Sequence, residues 1–522
     1  MTLSLKRILW VDDEIDLLKP HLLFLRDRGY YVDAITNGDD ALVLLERHNY
    51  DLLLLDEQMP GRSGLEILDL VRKTNLGIRV IMVTKSEEDR TMKEAIGRRA
   101  DDYLLKPVSP LQVLYAVTRI LEGPSIRQEH VARDFAGQFS ALSHRLERAA
   151  TERDFAELYI ELTDWHVRLE HSNEGGLLGT VEALLVGLRK DFGRWIKSEY
   201  PQWMQGKMEG RPSLSVDVVE KHLIPLLGES SVMFVLLDCL RMDQWKVIAP
   251  LLVPYFEIQE SYHYSILPTA TPYCRNAIFS GGFPDDLPEH YRQGVGISGE
   301  KVGLNGFEDK LLKNHLEALC GQSIPVHYEK ITSDENGGRV RARVRSALKE
   351  PRSVVVTVFN FVDMMTHGRS DSTILMEVAR DEAALRSLTR SWFERSNAFS
   401  VMRDAAAAGH RILLTSDHGS IQCRNPTVIH AKKDASSSLR YKVGMDLRLD
   451  NPETTFLTKV GKNLRLPPAP LGTSYAIALD DHYFVYPNRL REYQRRYRNS
   501  FLHGGISPEE MIVPVVELKS RT

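Results

Sequence analysis

Several kinds of residue and pattern are scarce in this chain, and each scarcity removes a class of protein. Only four cysteines occur in 522 residues, at Cys239, Cys274, Cys320 and Cys423. Their scatter excludes a disulfide framework and a CxxC metal knuckle, and it fits a reducing cytoplasm. No stretch approaches the ~18–20 apolar residues of a membrane span, so the chain is not expected to be membrane-embedded. The opening MTLSLKRILWVDDE places acids directly after a short apolar run, which is not the pattern of a secretory leader. Neither sign of charge is in large excess: 67 Lys and Arg stand against 71 Asp and Glu, a net charge of -4. Bulk attraction to nucleic acid or anionic lipid is therefore excluded, though a local basic groove is not.

What remains is ordinary globular material, 43% apolar and 26% charged. At ~100–200 residues per domain, its length implies about three domains. Residues 1–123 alternate strand-like and helix-like runs. RILWV (7–11), DLLLLD (51–56), RVIMVT (79–84) and DYLLKP (102–107) read as buried parallel strands, predicting a small doubly wound α/β domain. Residues 124–215 lack strand-like runs. FAGQFSALSHRLERA, DFAELYIELTDWHVRLE and GGLLGTVEALLVGLRKDFGRWIKSEY predict a three-helix bundle, broken at EHSNEGG and SEYPQW. Residues 216–522 return to α/β, with strands at SVMFVLLD (231–238), SVVVTVFN (353–360), HRILLTSD (410–417) and MIVPVVEL (511–518).

Acids stand where these strands run out, the usual ligand position of open α/β sheets. In the first domain, Asp12, Asp13 and Asp56 converge on one edge. Carboxylates held together repel, and an oxygen-seeking cation such as Mg2+ relieves that cost. Asp56 ends the most apolar strand and is the best-placed nucleophile toward a phosphoryl donor. Thr84 can hydrogen-bond phosphoryl oxygens, and Lys106 can bring positive charge to them. The Lys106-Pro107 pair, after a strand, suits a cis peptide that aims the lysine inward. A helix cap or a surface position would account for any one of these residues, but not for the ordered set.

In the last domain, Asp363 and His367 are spaced i, i+4 after a strand, which puts both on one helix face. LLTSDHGS adds Asp417 and His418, HGGIS adds His503, and Asp238 ends another strand. Three histidines with three aspartates suit zinc, with Mn2+ as the fallback. Six such ligands suit two ions ~3.5–4 Å apart. In SILPTATPYCR, Thr271 offers a hydroxyl that could attack phosphorus, with Thr269 as its neighbour and alternative. Arg275, four residues on, either reaches the third oxygen of a phosphomonoester or lies on the surface. Two basic stretches, RVRARVRSALK (339–349) and Lys432, Lys433, Arg440 and Lys442, read as solvated charge or as substrate-binding stripes. In the tail, REYQRRYRNS leads directly to His503 and could shape a substrate pocket. His482, His263 and His430 are weaker candidates, and Asn360 and Asn276 stay unassigned.

The first set of residues resembles the receiver domain of two-component response regulators. The resemblance implies that Asp12 and Asp13 hold Mg2+ with Asp56 and the carbonyl of Gln58. It further implies that Asp56 accepts the phosphoryl group, Thr84 and Lys106 contact it, and Tyr103 is the aromatic that packs inward on activation. A sensor histidine kinase and a homodimer formed on phosphorylation follow as expected partners. The second set, TATPYCR, TSDHGS and HGGISPEEMIVPV, resembles the alkaline phosphatase superfamily and its PglZ branch. That implies one Zn2+ on Asp363, His367 and His503, another on Asp238, Asp417 and His418, and Thr271 as nucleophile. The order receiver, bundle, PglZ is similar to that of the cytoplasmic response regulators tied to type IX secretion in the Bacteroidetes group. It implies a zinc-dependent phosphodiesterase acting on small oligonucleotides, linear or cyclic. No DNA-reading helix-turn-helix follows the receiver, so contact with transcription is expected through a protein. Two other readings remain open: an interaction protein docking on a secretion motor or sigma factor, and a phosphomonoesterase.

Overall fold

Five parallel strands form the first sheet, in the spatial order Tyr31–Ile35, Arg7–Val11, Leu52–Asp56, Arg79–Thr84 and Asp102–Leu105. The computed structural model describes residues 6–74, 77–85, 100–121, 123–170, 175–206, 211–288, 307–331, 337–368, 373–432, 435–436 and 438–521. The chain divides into two compact units, Met1–Asp134 and Phe135–Thr522. In the first, the central strand LLLLD is buried along its whole length. Alternation sends Leu53 and Leu55 to one face, with Ile67, Leu68 and Val71 of the helix Gly64–Lys73, and Leu52 and Leu54 to the other, with Val113 and Val117 of Pro110–Leu121. This is the doubly wound receiver fold. The strand Tyr31–Ile35 had no strong sequence signal because it is an edge strand, mostly half-exposed.

In the second unit the linker helices pack on one another. Phe135 meets Trp165 at 5.5 Å between ring centroids, and Phe155 meets Phe192 at 5.7 Å. A Cβ on Gly187 would stand 3.2 Å from Leu146, so the third helix passes close to the first. That third helix runs from Gly175 to Met204, straight through Pro201, where the sequence predicted a break. Proline removes one backbone donor, but buried Tyr200 and Trp203 anchor the final turn, Trp203 lying edge-on to Trp195 at 5.3 Å.

The large sheet of this unit has six strands, ordered Phe256–Tyr264, Ile512–Ser520, Arg411–Thr415, Val232–Leu237, Val354–Phe359 and Val326–Ile331. The last four are mutually parallel, while Ile512–Ser520 runs antiparallel to both its neighbours. The three strands predicted to end in site residues thus lie side by side. The linker helices are fastened to this domain. Phe192 stacks on Tyr264 at 6.2 Å, the Tyr264 hydroxyl donates to Glu152 O, and the Leu267 N–H donates to the Tyr200 hydroxyl. Among the described residues no helix is long and apolar enough to cross a membrane.

Candidate active site

The receiver unit brings Asp12, Asp13 and Asp56 together, with one oxygen from each lying within 4.8 Å of the others. Asp12 and Asp56 are buried while Asp13 is exposed. Lys106 Nζ lies 2.8 Å from Asp56 Oδ2 and 2.7 Å from Asp12 Oδ2, and the Lys106-Pro107 peptide is cis. Burial works against the lysine's charge, but its two carboxylate partners outweigh this and hold its pKa above the ordinary value. Burial, opposed by Lys106 and aided by Asp12, pushes the Asp56 carboxyl upward. Asp56 Oδ1 is buried without a hydrogen-bond partner. Three carboxylates against one ammonium, with a buried oxygen left over, fit a hard divalent cation. The Gln58 backbone faces Asp56 through its N–H. Thr84, buried, donates to the Glu57 carboxylate at 2.5 Å. Tyr103 is half-buried against the cluster that holds Leu55 and Met82.

The second constellation is assembled from three neighbouring strand ends. Asp238 follows Val232–Leu237, and Asp417 and His418 follow Arg411–Thr415. Asp363 and His367 share the helix Phe361–Gly368 after Val354–Phe359. His503 arrives on the short strand Phe501–Leu502, which pairs antiparallel with Ile421–Gln422 just beyond His418. Asp363 Oδ1, His367 Nε2 and His503 Nε2 form a triangle with sides of 3.3, 3.6 and 2.9 Å. Those lengths bracket the ~3.3–3.4 Å edge of a tetrahedron whose ligands stand ~2.0–2.1 Å from a central zinc. Asp238, Asp417 and His418 form a second group within 4.8 Å, all buried.

Hydrogen bonds fix which imidazole nitrogens face inward. His418 Nδ1 lies 3.0 Å from Gly419 O, and His503 Nδ1 lies 3.2 Å from Thr269 O. A carbonyl only accepts, so each Nδ1 carries the proton and each Nε2 offers a lone pair. Burial, together with His418 and His367, pushes His503 down to about 3, which keeps it neutral and able to ligate. Thr271 Oγ1 is 3.0 Å from His418 Nε2, and the His418 and His503 rings stack at 4.3 Å. Thr271 opens the helix Thr271–Ser280, whose N-terminus has no side-chain cap and whose dipole places partial positive charge at that end.

Arg275 is fully buried, neither at the surface nor open to a substrate oxygen. It contacts Asp238, lies 3.1 Å from Asp417 Oδ2, and reaches Glu308 at 3.6 Å. Its spacing four residues from Thr271 was legible in sequence, whereas Glu308 lies in no motif. Burial raises the Asp238 carboxyl well above the usual range in spite of Arg275, with Asp417 and Asp363 adding to the rise. Asp238 Oδ1 has no hydrogen-bond partner. Three carboxylates (Asp238, Asp417, Glu308) gathered around one guanidinium, with Asp363 and the three imidazoles beside them, fit divalent cations.

Several sequence alternatives resolve. Thr269 donates to Gly505 O at 2.7 Å and accepts from the Gly504 N–H at 3.1 Å, so it tethers the His503 loop. Arg440 is no solvated patch residue. It is fully buried, paired with Glu510, and packed where a Cβ on Gly505 would fall. Lys442 is buried as well, donating to Ser436 O at 2.7 Å. Lys433 lies outside the described residues. In the stretch at 339–349, Arg341 and Arg345 share Asp404 and Arg343 pairs with Glu329. His263 supports the site from below, bonding Ser416 O at 3.0 Å. His430 pairs with exposed Asp450, and His482 belongs to a separate group with Asp480 and Asp481. Asn276 donates to Pro272 O, and Asn360 keeps a buried oxygen without a partner.

Three family models match the chain: response regulator receiver domain over residues 8–118, PorX response regulator linker domain over 125–204, and BREX system PglZ alkaline phosphatase-like domain over 218–518. Among curated proteins, the transcriptional regulatory protein ResD of Bacillus subtilis (strain 168) is 34% identical over 119 residues, 23% of this chain and 49% of ResD. The nitrate/nitrite response regulator protein NarL of Escherichia coli (strain K12) is 35% identical over 127 residues, 24% of this chain and 56% of NarL. The chain thus spans about half the length of these curated relatives. A CheY-like receiver domain protein from Methanospirillum hungatei JF-1 is 32% identical, covering 23% of this chain and 96% of its own, with a TM-score of 0.22.

Proposed function

The chain belongs to the family of BREX system PglZ alkaline phosphatase-like domains, as a PorX-like response regulator carrying such a domain, and from that premise we propose that its output is metal-dependent phosphodiester hydrolysis. The observation that carries the reading is the convergence of two carboxylate–histidine triads beside one hydroxyl, Thr271 Oγ1 at 3.0 Å from His418 Nε2. Asp363, His367 and His503 would hold one Zn2+, and Asp238, Asp417 and His418 the other. When bound, such ions make a neighbouring hydroxyl more acidic and stabilise charge on phosphoryl oxygens. Thr271 Oγ would attack phosphorus as its proton passes to solvent, the bond to the leaving oxygen would break with that oxygen taking a proton from solvent, and water would later cleave the threonine phosphoester and restore the hydroxyl. Arg275 keeps Asp238 and Asp417 aligned, Thr269 holds the His503 loop, and the positive dipole end of the helix that Thr271 opens favours the anionic substrate. Short oligonucleotides, linear or cyclic, are the substrate class we assign.

On the input side, Asp56 would be phosphorylated from a histidine kinase with Mg2+ on Asp12, Asp13, Asp56 and the Gln58 carbonyl. Thr84, Lys106 and Tyr103 would respond to the new charge, and paired receivers would form a homodimer. Sedimentation with and without a fluoroberyllate mimic tests this, and an unchanged mass would refute it. Regulation of type IX secretion is the cellular role we assign, with domains at 1–123, 124–215 and 216–522. Thr271→Val decides the enzymatic reading. Zinc content by elemental analysis should persist while diester cleavage falls at least ~1,000-fold. A variant that loses cleavage yet keeps its cellular output would favour docking on a sigma factor or secretion motor. Faster turnover of a nitrophenyl monoester than of a diester would favour a phosphomonoesterase.

A further inference from the structure

The helix Leu490–Tyr497 buries none of its residues fully, yet it is held in one orientation. Half-buried Tyr493 and Tyr497, spaced i, i+4, pack against the cluster of Ile421, Cys423, Tyr483 and Val485. Their rings lie 5.4 Å apart. That anchorage turns Arg491 and Arg495, also i, i+4, to the opposite, exposed side. Arg498 follows at the end of the helix. The next N–H, from Asn499, donates to Cys423 O, and the Cys423 N–H donates to Ser500 O, which sets exposed Arg424 beside Arg498. Arg424, Arg491, Arg495 and Arg498 form no ion pair among the described residues. Between 489 and 498 there are five arginines and one glutamate, in a chain whose net charge is -4.

This strip is continuous with the metal-ligating segments. Arg498 is five residues from His503 and Arg424 six from His418, both reached along the paired strands Phe501–Leu502 and Ile421–Gln422. At ~3.3–3.6 Å per residue, the strip begins no more than about 17–22 Å from the ligand histidines. We propose that Arg424, Arg491, Arg495 and Arg498 form a rail for the phosphodiester backbone of a single-stranded oligonucleotide whose cleaved bond lies at Thr271. The inference rests on the hydrolase reading and adds the strand's path. Arginines on a fixed helix suit phosphates spaced along one strand, and such contacts do not depend on base identity. Direct continuity with the ligand loops favours the substrate over an acidic protein as occupant.

The test uses the full chain in a Thr271→Val background, titrated into a fluorescein-labelled twelve-nucleotide RNA and followed by anisotropy at several KCl concentrations. Replacing Arg491, Arg495 and Arg498 by Gln, at exposed positions, should weaken binding at least tenfold at 100 mM salt. It should also flatten the slope of log affinity against log salt by about 2, since each lost contact with a single strand removes ~0.7. In the active chain, the ratio of kcat/KM for the twelve-mer to that for bis(4-nitrophenyl) phosphate should fall about tenfold. Unchanged affinity and slope would overturn the rail, and would leave an acidic-protein face as the meaning of the strip. Absence of all diester cleavage in the unaltered chain would instead sink the hydrolase reading, and the anisotropy would still decide whether the rail exists.

Discussion

Arg275 is the side chain on which removal speaks most directly to the metal sites. Substitution by Met keeps most of the length and all of the apolar stem, and deletes the guanidinium charge that faces Asp238, Asp417 and Glu308. All four groups are essentially inaccessible to water. Breaking a buried ion pair by removing one partner typically costs ~3–5 kcal/mol, because the remaining carboxylates keep their desolvation cost without their counterion. The unit that holds them contains about 390 residues. With an unfolding entropy of ~2.1 cal/mol/K per residue, that loss lowers the melting temperature by roughly 4–6 °C in chelator-treated protein. Zn2+ should then narrow the gap to about 2 °C or less, because a cation bound by Asp238 and Asp417 supplies the missing charge and stabilises the folded state by mass action. Differential scanning fluorimetry of both chains, with EDTA and with a graded zinc series, makes the comparison. A variant melting with the native chain in EDTA would refute the compensation argument. A gap that ignores zinc would show that Asp238 and Asp417 are not cation ligands.

Three further outcomes follow from individual residues. Gly419→Ala would set a Cβ 2.0 Å from Glu509 O, a backbone atom, so the segment after His418 or the one after His503 must move. Calorimetry should register a loss of about 1–3 kcal/mol, and zinc titration a weaker site. Burial alone lowers Lys442 from 10.5 to about 8. The unfolded lysine therefore holds its proton between pH 8 and 10.5 while the folded one has lost it, so stability rises with pH across that window and the full penalty is present below it. Lys442→Met should accordingly raise the melting temperature at pH 7, by an amount that shrinks toward pH 10. Asp56→Asn should abolish the acetyl-phosphate-dependent band shift on a phosphate-affinity gel, and retention of that shift would move the phosphoacceptor elsewhere.

Much of the fold was legible because its signals are local. The run LLLLD announces a strand buried on both faces, and acids placed where strands stop announce a ligand edge. Asp363 and His367 carry their own geometry in the i, i+4 spacing. Legibility failed where the deciding contact came from far along the chain. Pro201 looked like a helix end, and only the burial of Tyr200 and Trp203 carries the helix past it. Arg440 looked like surface charge until Glu510 and the glycines at 504 and 505 enclosed it.

The sequence by itself determined the composition of both sites, since ligand type and strand context are properties of short segments. Tertiary structure decided their inner roles. It turned His503 Nε2 toward His367 by bonding Nδ1 to Thr269 O, buried Arg275 behind Asp238 and Asp417, and tied the Thr269 hydroxyl to Gly505 O. It also attached the linker helices to the PglZ domain. Arg189 pairs with Glu509 near His503, and Arg386 joins Glu170 to Asp243 near Asp238. Those pairs lie up to 320 residues apart in the chain. No local pattern encodes such partners, because an ion pair leaves no periodicity and is chosen only when folding closes the space around it.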